Sequence, residues 1–108
     1  RKLMVSPDGA SAPARPRIDS TLIKALARAH RWRRFLETGT YTTVEEIAAA
    51  ETINASYVSR ILRLTLLAPD LAEAILDGRQ PAEVTLSRLL KPFPVEWAAQ
   101  HRDFAGAR

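Results

Sequence analysis

Cysteine is absent from the 108-residue chain. This excludes disulfide staples and cysteine-ligated zinc, and it fits a reducing cytoplasm. Glycine is scarce, and its four residues stand apart, so no glycine-rich loop can cradle a phosphate. The two histidines, His30 and His101, are remote in sequence and lack neighbouring ligands, which argues against a metal site. No apolar run exceeds about four residues (47–50), far short of a membrane span. No charged-then-apolar leader opens the chain, and a start at Arg1 is what a processed or trimmed protein would give.

What is present is ordinary in amount and uneven in placement. Hydrophobic residues make up 46% and charged residues 26%, values of a globular domain with one core. The formal net charge is +4. Residues 1–34 hold nine basic and two acidic side chains, a net of +7, whereas residues 35–108 hold seven basic and ten acidic, a net of −3. Thirteen of the sixteen cations are arginine, which suits bidentate contact with phosphate and guanine. A basic flank on a nearly balanced domain points towards a polyanion.

Residues 1–17, with Pro7, Pro13, Pro16 and the turn signal Pro7-Asp8-Gly9, read as a basic flexible arm in which Lys2-Leu3-Met4-Val5 could pair as a short strand. Residues 18–108 read as an all-α domain, a small bundle of five to six helices. Asp19 or Ser20 can cap a first helix to about residue 38, stopped by Gly39. Its apolar face is Leu22, Leu26, Ala29, Trp32 and Leu36, with Arg33 at the edge. Thr42 or Thr43 can cap a second helix over 44–51, with Glu46 in the capping-box position. Further helices are expected over 55–67, 70–77 (opened by Pro69 and ended by Gly78), 85–91 and 95–104. Trp32 and Trp97 are expected to anchor the first and last helices in the core, the alternative being an exposed partner surface.

The stretch from Thr43 to Leu66 carries the most information. A helix-turn-helix needs a small residue where two helices cross, a tight turn with an apolar plug, and an apolar stripe on the second helix. Ala48 supplies the first, Ile53 the second, and Val58, Ile61, Leu62 and Thr65 the third. At about 100° per residue, Ser56, Ser59, Arg60 and Arg63 fall opposite that stripe. An amphipathic helix pair is common to many helical domains. Here, however, residues 52–69 contain two arginines and no carboxylate, while acids gather on the flanking helices as Glu45, Glu46, Glu51, Asp70, Glu73 and Asp77. Such segregation leaves one surface free of repulsion towards phosphate.

Ile53-Asn54-Ala55-Ser56-Tyr57-Val58-Ser59-Arg60-Ile61-Leu62-Arg63-Leu64, followed by Leu67-Ala68-Pro69-Asp70, Ile75 and Gly78, resembles the helix-turn-helix core of ParB/KorB-type partition and repressor proteins. The wider stretch from Ala25 to Trp97 is similar to the C-terminal tail of some bacterial serine site-specific recombinases and their small stand-alone relatives. These resemblances imply a bacterial, cytoplasmic, nucleoid-associated protein acting in transcription regulation, partition or recombination. Residues 1–17 have nothing like the nucleotide-binding domain of ParB, so no clamp or nucleotide switch is implied, and the recombinase catalytic domain is absent. Thr52 stands where such turns commonly carry glycine. A β-branched residue at positive φ costs about 1 kcal/mol or more, so a different turn geometry is expected.

The expected function is non-enzymatic, sequence-specific binding of double-stranded DNA. Asn54, Ser56, Tyr57, Ser59, Arg60 and Arg63 are the candidate base readers, and Thr42, Thr43, Arg28, Arg31 and Arg34 the candidate phosphate contacts. Glu45 and Glu46 read as helix-dipole partners rather than an acid/base pair. No cofactor, metal, membrane or small-molecule substrate is expected. A homodimer or a recombinase is a further candidate partner. The competing reading is an interaction module, in which Leu62, Leu64, Leu66, Leu67 and the acidic face of residues 70–77 bind another protein without reading bases.

Overall fold

The computed structural model describes residues 17–104. The expected arm, including the strand over residues 2–5, lies outside them except for Arg17. The described chain is all-α and strand-free, as expected from its sequence. Its helices are α1 (Ser20–Thr38), α2 (Val44–Glu51), α3 (Ala55–Leu62), α4 (Pro69–Asp77), α5 (Leu86–Leu89) and α6 (Trp97–Phe104), with a 3-10 turn at Arg63–Leu66.

α1 is the mast of the bundle and packs against α3, the 3-10 turn, α4 and α5, while α2 leans on α3. It starts where Asp19 Oδ1 accepts the Leu22 N–H at 3.1 Å. Leu22, Ala25, Leu26, Ala29 and Trp32 face inward and meet Ile47 and Ala48 of α2, Val58 and Ile61 of α3, Leu71 and Ile75 of α4, and Phe104 of α6. That single cluster, with Leu64, Leu67, Val84 and Leu89 joining it, is the core. Removing those side chains from water is the main favourable term holding the helices together.

The α2–α3 turn departs from expectation. Thr52 adopts the left-handed conformation, with φ 61° and ψ 45°, despite its branched side chain. The compensation is visible in the backbone. Ile53 N–H donates to Ala48 O at 3.0 Å and Thr52 N–H to Ala49 O at 3.3 Å, the paired bonds that close a helix end. Ile53 itself is no plug, being 38% exposed.

The third helix ends earlier than residue 67. After Leu62 the chain tightens into the 3-10 turn, and Thr65 Oγ donates to Leu62 O at 2.9 Å. At α-helical spacing Leu64 would fall on the polar face beneath Arg60. The tighter winding turns it into the core. α5 is one turn, capped by Thr85 Oγ accepting Arg88 N–H at 3.1 Å, shorter than the expected 85–91.

Trp32 is a core anchor, but Trp97 is not: it is 55% exposed. The place expected for its indole is held by Gln100 one turn later, fully buried along with Phe104. Gln100 Oε1 accepts the Ala68 N–H at 2.8 Å, and its Nε2 donates to Leu66 O and Pro94 O, both at 2.9 Å. The Ala68 N–H and the Leu66 carbonyl are groups that α4 and the 3-10 turn leave unpaired, since no side chain caps α4, and Pro94 O lies in the segment before α6.

Candidate nucleic-acid interface

The outward face of α3 follows from its phase. With Val58 and Ile61 fully buried, Ser56, Ser59 and Arg60 are carried to the opposite side and stand exposed. Asn54 precedes them as the N-cap, its Oδ1 accepting the Ser56 N–H at 2.7 Å. One lone pair of its carboxamide oxygen is thus spent on starting the helix, which leaves its NH2 group and the second lone pair for a partner. Tyr57 is half-buried against the core, so only part of it faces outward. Arg63 is also half-buried, with an Nη2 donating to Leu90 O at 3.0 Å.

The N-terminus of α2 is already furnished. Thr43 Oγ accepts the Glu46 N–H at 3.1 Å. Glu46 Oε1 accepts from the Thr42 N–H at 2.6 Å and from the Thr42 hydroxyl at 3.0 Å. The Thr42 backbone N–H, and after it the Thr42 hydroxyl, hold the Glu46 carboxyl below the ordinary carboxylate value. The Thr42 donors that a phosphate would use here thus serve the protein's own carboxylate.

On α1, Arg28, Arg31 and Arg34 are exposed. None of the three has an ion-pair partner among the described residues, in contrast to Arg33, which meets Glu37 at 2.9 Å. The Arg31 guanidinium lies over the Phe35 ring, 5.4 Å from its centroid. By helical phase Lys24, Arg28 and Arg31 share one flank. The other flank, with Ile23, Leu26, Ala27 and His30, faces Ala72 and Leu76 of α4 across a small apolar groove.

Searches against models of known families, curated proteins and solved structures return no match. The site must therefore be judged on its own chemistry.

Arg60 and Arg63 come together with residues that the sequence did not single out. They line one wall of a 540 Å³ cleft whose other wall is Ser87, Leu90, Lys91 and Pro92. A signal was present in the chain: Ser87 and Lys91 are four residues apart, one helical turn, on a segment bounded by prolines. The acids sit elsewhere. Asp70 meets His101 Nε2 at 2.7 Å, and Asp77 meets Arg79 at 2.8 Å. Hydrogen bonding to His101 holds the Asp70 carboxyl below its ordinary value. Among the described residues no group of side chains could hold a metal ion, and no helix is long and apolar enough to cross a membrane.

Proposed function

We propose that the protein is a duplex DNA-binding domain in which α2, the Thr52 turn and α3 act as a helix-turn-helix of the ParB/KorB type. The observation that carries this reading is the outward face of α3. Ser56, Ser59 and Arg60 project from a short helix whose opposite side is fully buried, and no carboxylate interrupts the chain from Thr52 to Pro69. An exposed α-helix of that kind fits a major groove, where hydroxyls reach bases or phosphates and arginine forks onto guanine. Arg28, Arg31 and Arg34 supply sequence-independent phosphate contacts from α1. The setting is the bacterial nucleoid, in transcription regulation, partition or recombination.

Selection from a random duplex library, followed by anisotropy titrations over a salt series, tests this. The expected result is an enriched motif and a log K that falls linearly with log salt. Absence of enrichment together with salt-independent binding overturns it. Within the enriched site, Arg60→Ala should remove discrimination at one base pair, a loss of about 1–3 kcal/mol, while leaving the melting temperature unchanged. Equal affinity of the variant and the parent for every sequence would remove Arg60 from the readers.

A second reading rests on a different surface. Leu66, Val95 and Trp97 are 40%, 59% and 55% exposed, and Gln100 gathers the Leu66 and Val95 carbonyls on one amide. An apolar patch of this kind suits a protein partner, such as a recombinase or a second copy. That partner would accompany DNA binding if the selection succeeds and replace it if the selection fails.

A further inference from the structure

The cleft between α3 and the end of α5 has a composition that neither wall explains alone. Its polar lining is Arg60, Arg63, Ser87 and Lys91, all hydrogen-bond donors, three of them cationic, with no carboxylate among the lining residues. Its apolar lining is limited to Leu90 and Pro92, too little to hold an apolar ligand. Like charges crowded in this way repel unless an anion joins them.

Arg63 is the residue that builds the cleft. One of its five N–H donors reaches Leu90 O, tying the chain after α5 to the last turn of α3. Its Nε is buried without a hydrogen-bond partner. Arg88, the cation of α5, is turned away from the cleft, over the Phe104 ring at 5.0 Å and beside Asp103 at 3.9 Å. The cations left facing the opening are therefore Arg60 from the recognition surface and Lys91 from outside it. An ammonium and a hydroxyl on one wall of an open cationic cleft match the oxygens of a phosphate group.

We infer that this cleft is a phosphate-binding site in which Ser87 and Lys91 grip one backbone phosphate of duplex DNA while Arg60, on the facing wall, stays with the bases, and Arg63 is the positioning residue that fixes the two walls. The inference rests on the DNA-binding reading and deepens it, because it assigns contacts to a segment outside the two motif helices. It also fits the size of the problem. A lone recognition helix buries little surface and binds weakly, so a clamp on the adjacent backbone adds affinity without adding sequence preference.

The test uses the full chain and the variants Lys91→Ala, Lys91→Glu and Ser87→Ala, with Lys91→Arg as the conservative control. Lys91 and Ser87 are exposed, so all four should melt as the parent does. On selected and random duplexes alike, Lys91→Ala should lower affinity and reduce the slope of log K against log salt by about one unit. Lys91→Glu should lower affinity further, Ser87→Ala should weaken both duplexes with the slope kept, and Lys91→Arg should restore binding. The order of sequence preference should stay the same throughout. An unchanged slope and affinity in Lys91→Ala, with the parent still binding DNA, overturns the inference and leaves the DNA reading standing. A second measurement separates the two if the parent fails to bind duplex. Inorganic phosphate titrated in chloride buffer should shift the amide signals of Ser87 and Lys91 saturably, and Lys91→Glu should abolish the effect. Saturation without duplex binding supports the phosphate site and overturns its DNA ligand. Absence of both overturns both.

Discussion

α3 and α6 are both eight residues long, yet only α6 buries a polar side chain. α3 buries Val58 and Ile61 and turns serines and an arginine outward, whereas α6 buries a glutamine beside Phe104 and leaves its tryptophan exposed. The difference lies in what each helix packs against. α3 packs on the apolar faces of α1 and α2, where transfer of side chains from water sets its phase. α6 meets the junction at Leu66–Ala68, where a 3-10 turn runs into a helix with no side-chain cap. There the cost of an orphaned N–H or carbonyl outweighs the gain from burying an indole.

Five substitutions, the last of them read against pH, would break or sharpen that contrast. Val58→Asp should have the largest effect. It places an unpaired carboxylate in the α2–α3 seam at several kcal/mol, a large share of the stability of a small domain, so the cooperative melt should be lost. An unchanged melt would show that Val58 faces solvent. Gln100→Leu comes next and runs against intuition, since it makes the core more apolar. It should still destabilise by about 2–4 kcal/mol, because the Ala68 N–H and the Leu66 and Pro94 carbonyls lose their partner. A denaturant titration with an unshifted midpoint would mean that other groups satisfy them.

Trp97→Ser should change stability by no more than about 0.5 kcal/mol, in contrast to Trp32→Ser in the core, which should cost about 3–5 kcal/mol. Equal losses at the two sites would return Trp97 to the core. The smallest effect concerns pH. The folded state holds the Asp70 carboxyl below its ordinary value through His101, so it binds fewer protons in acid than the unfolded chain does. The resulting stabilisation is present above the ordinary carboxylate range and is lost as pH falls through the depressed value. Asp70→Asn should therefore flatten the acid limb of the stability curve slightly, and identical limbs would mean the pair contributes nothing.

This contrast also marks what could be read from the chain. The helix starts at Asp19 and Thr43, the stops at Gly39 and Gly78, and the inward sets of α1 and α3 follow from capping chemistry and from one helix's periodicity. Both are local. The exposure of Trp97, the burial of Gln100 and the inward turn of Leu64 depend on which backbone groups a distant junction leaves unpaired. No periodicity encodes that. Of the candidate interface, the exposed serines and Arg60 were legible from phase. The hold of Arg63 on Leu90 and the facing position of Lys91 depend on a contact between residues far apart in sequence. Thr52 shows the opposite failure. Its intrinsic preference was read correctly, and the two backbone bonds that close α2 overrode it.

The end of α4 carries a consequence for the order of folding. Gly78 O accepts the Arg17 N–H at 2.7 Å, and Gln80 Nε2 donates to Arg17 O at 3.3 Å. A Cβ on Gly78 would lie 2.9 Å from Arg17 N. Both backbone groups of Arg17 are thus latched by the segment that follows α4, across almost the whole length of α1 to α4. A latch of such high contact order closes late and adds little to the nucleus, because a long loop must be ordered before it forms. Its effect falls instead on the unfolding rate. While it is shut, fraying of α1 from its first turn must first break these two bonds.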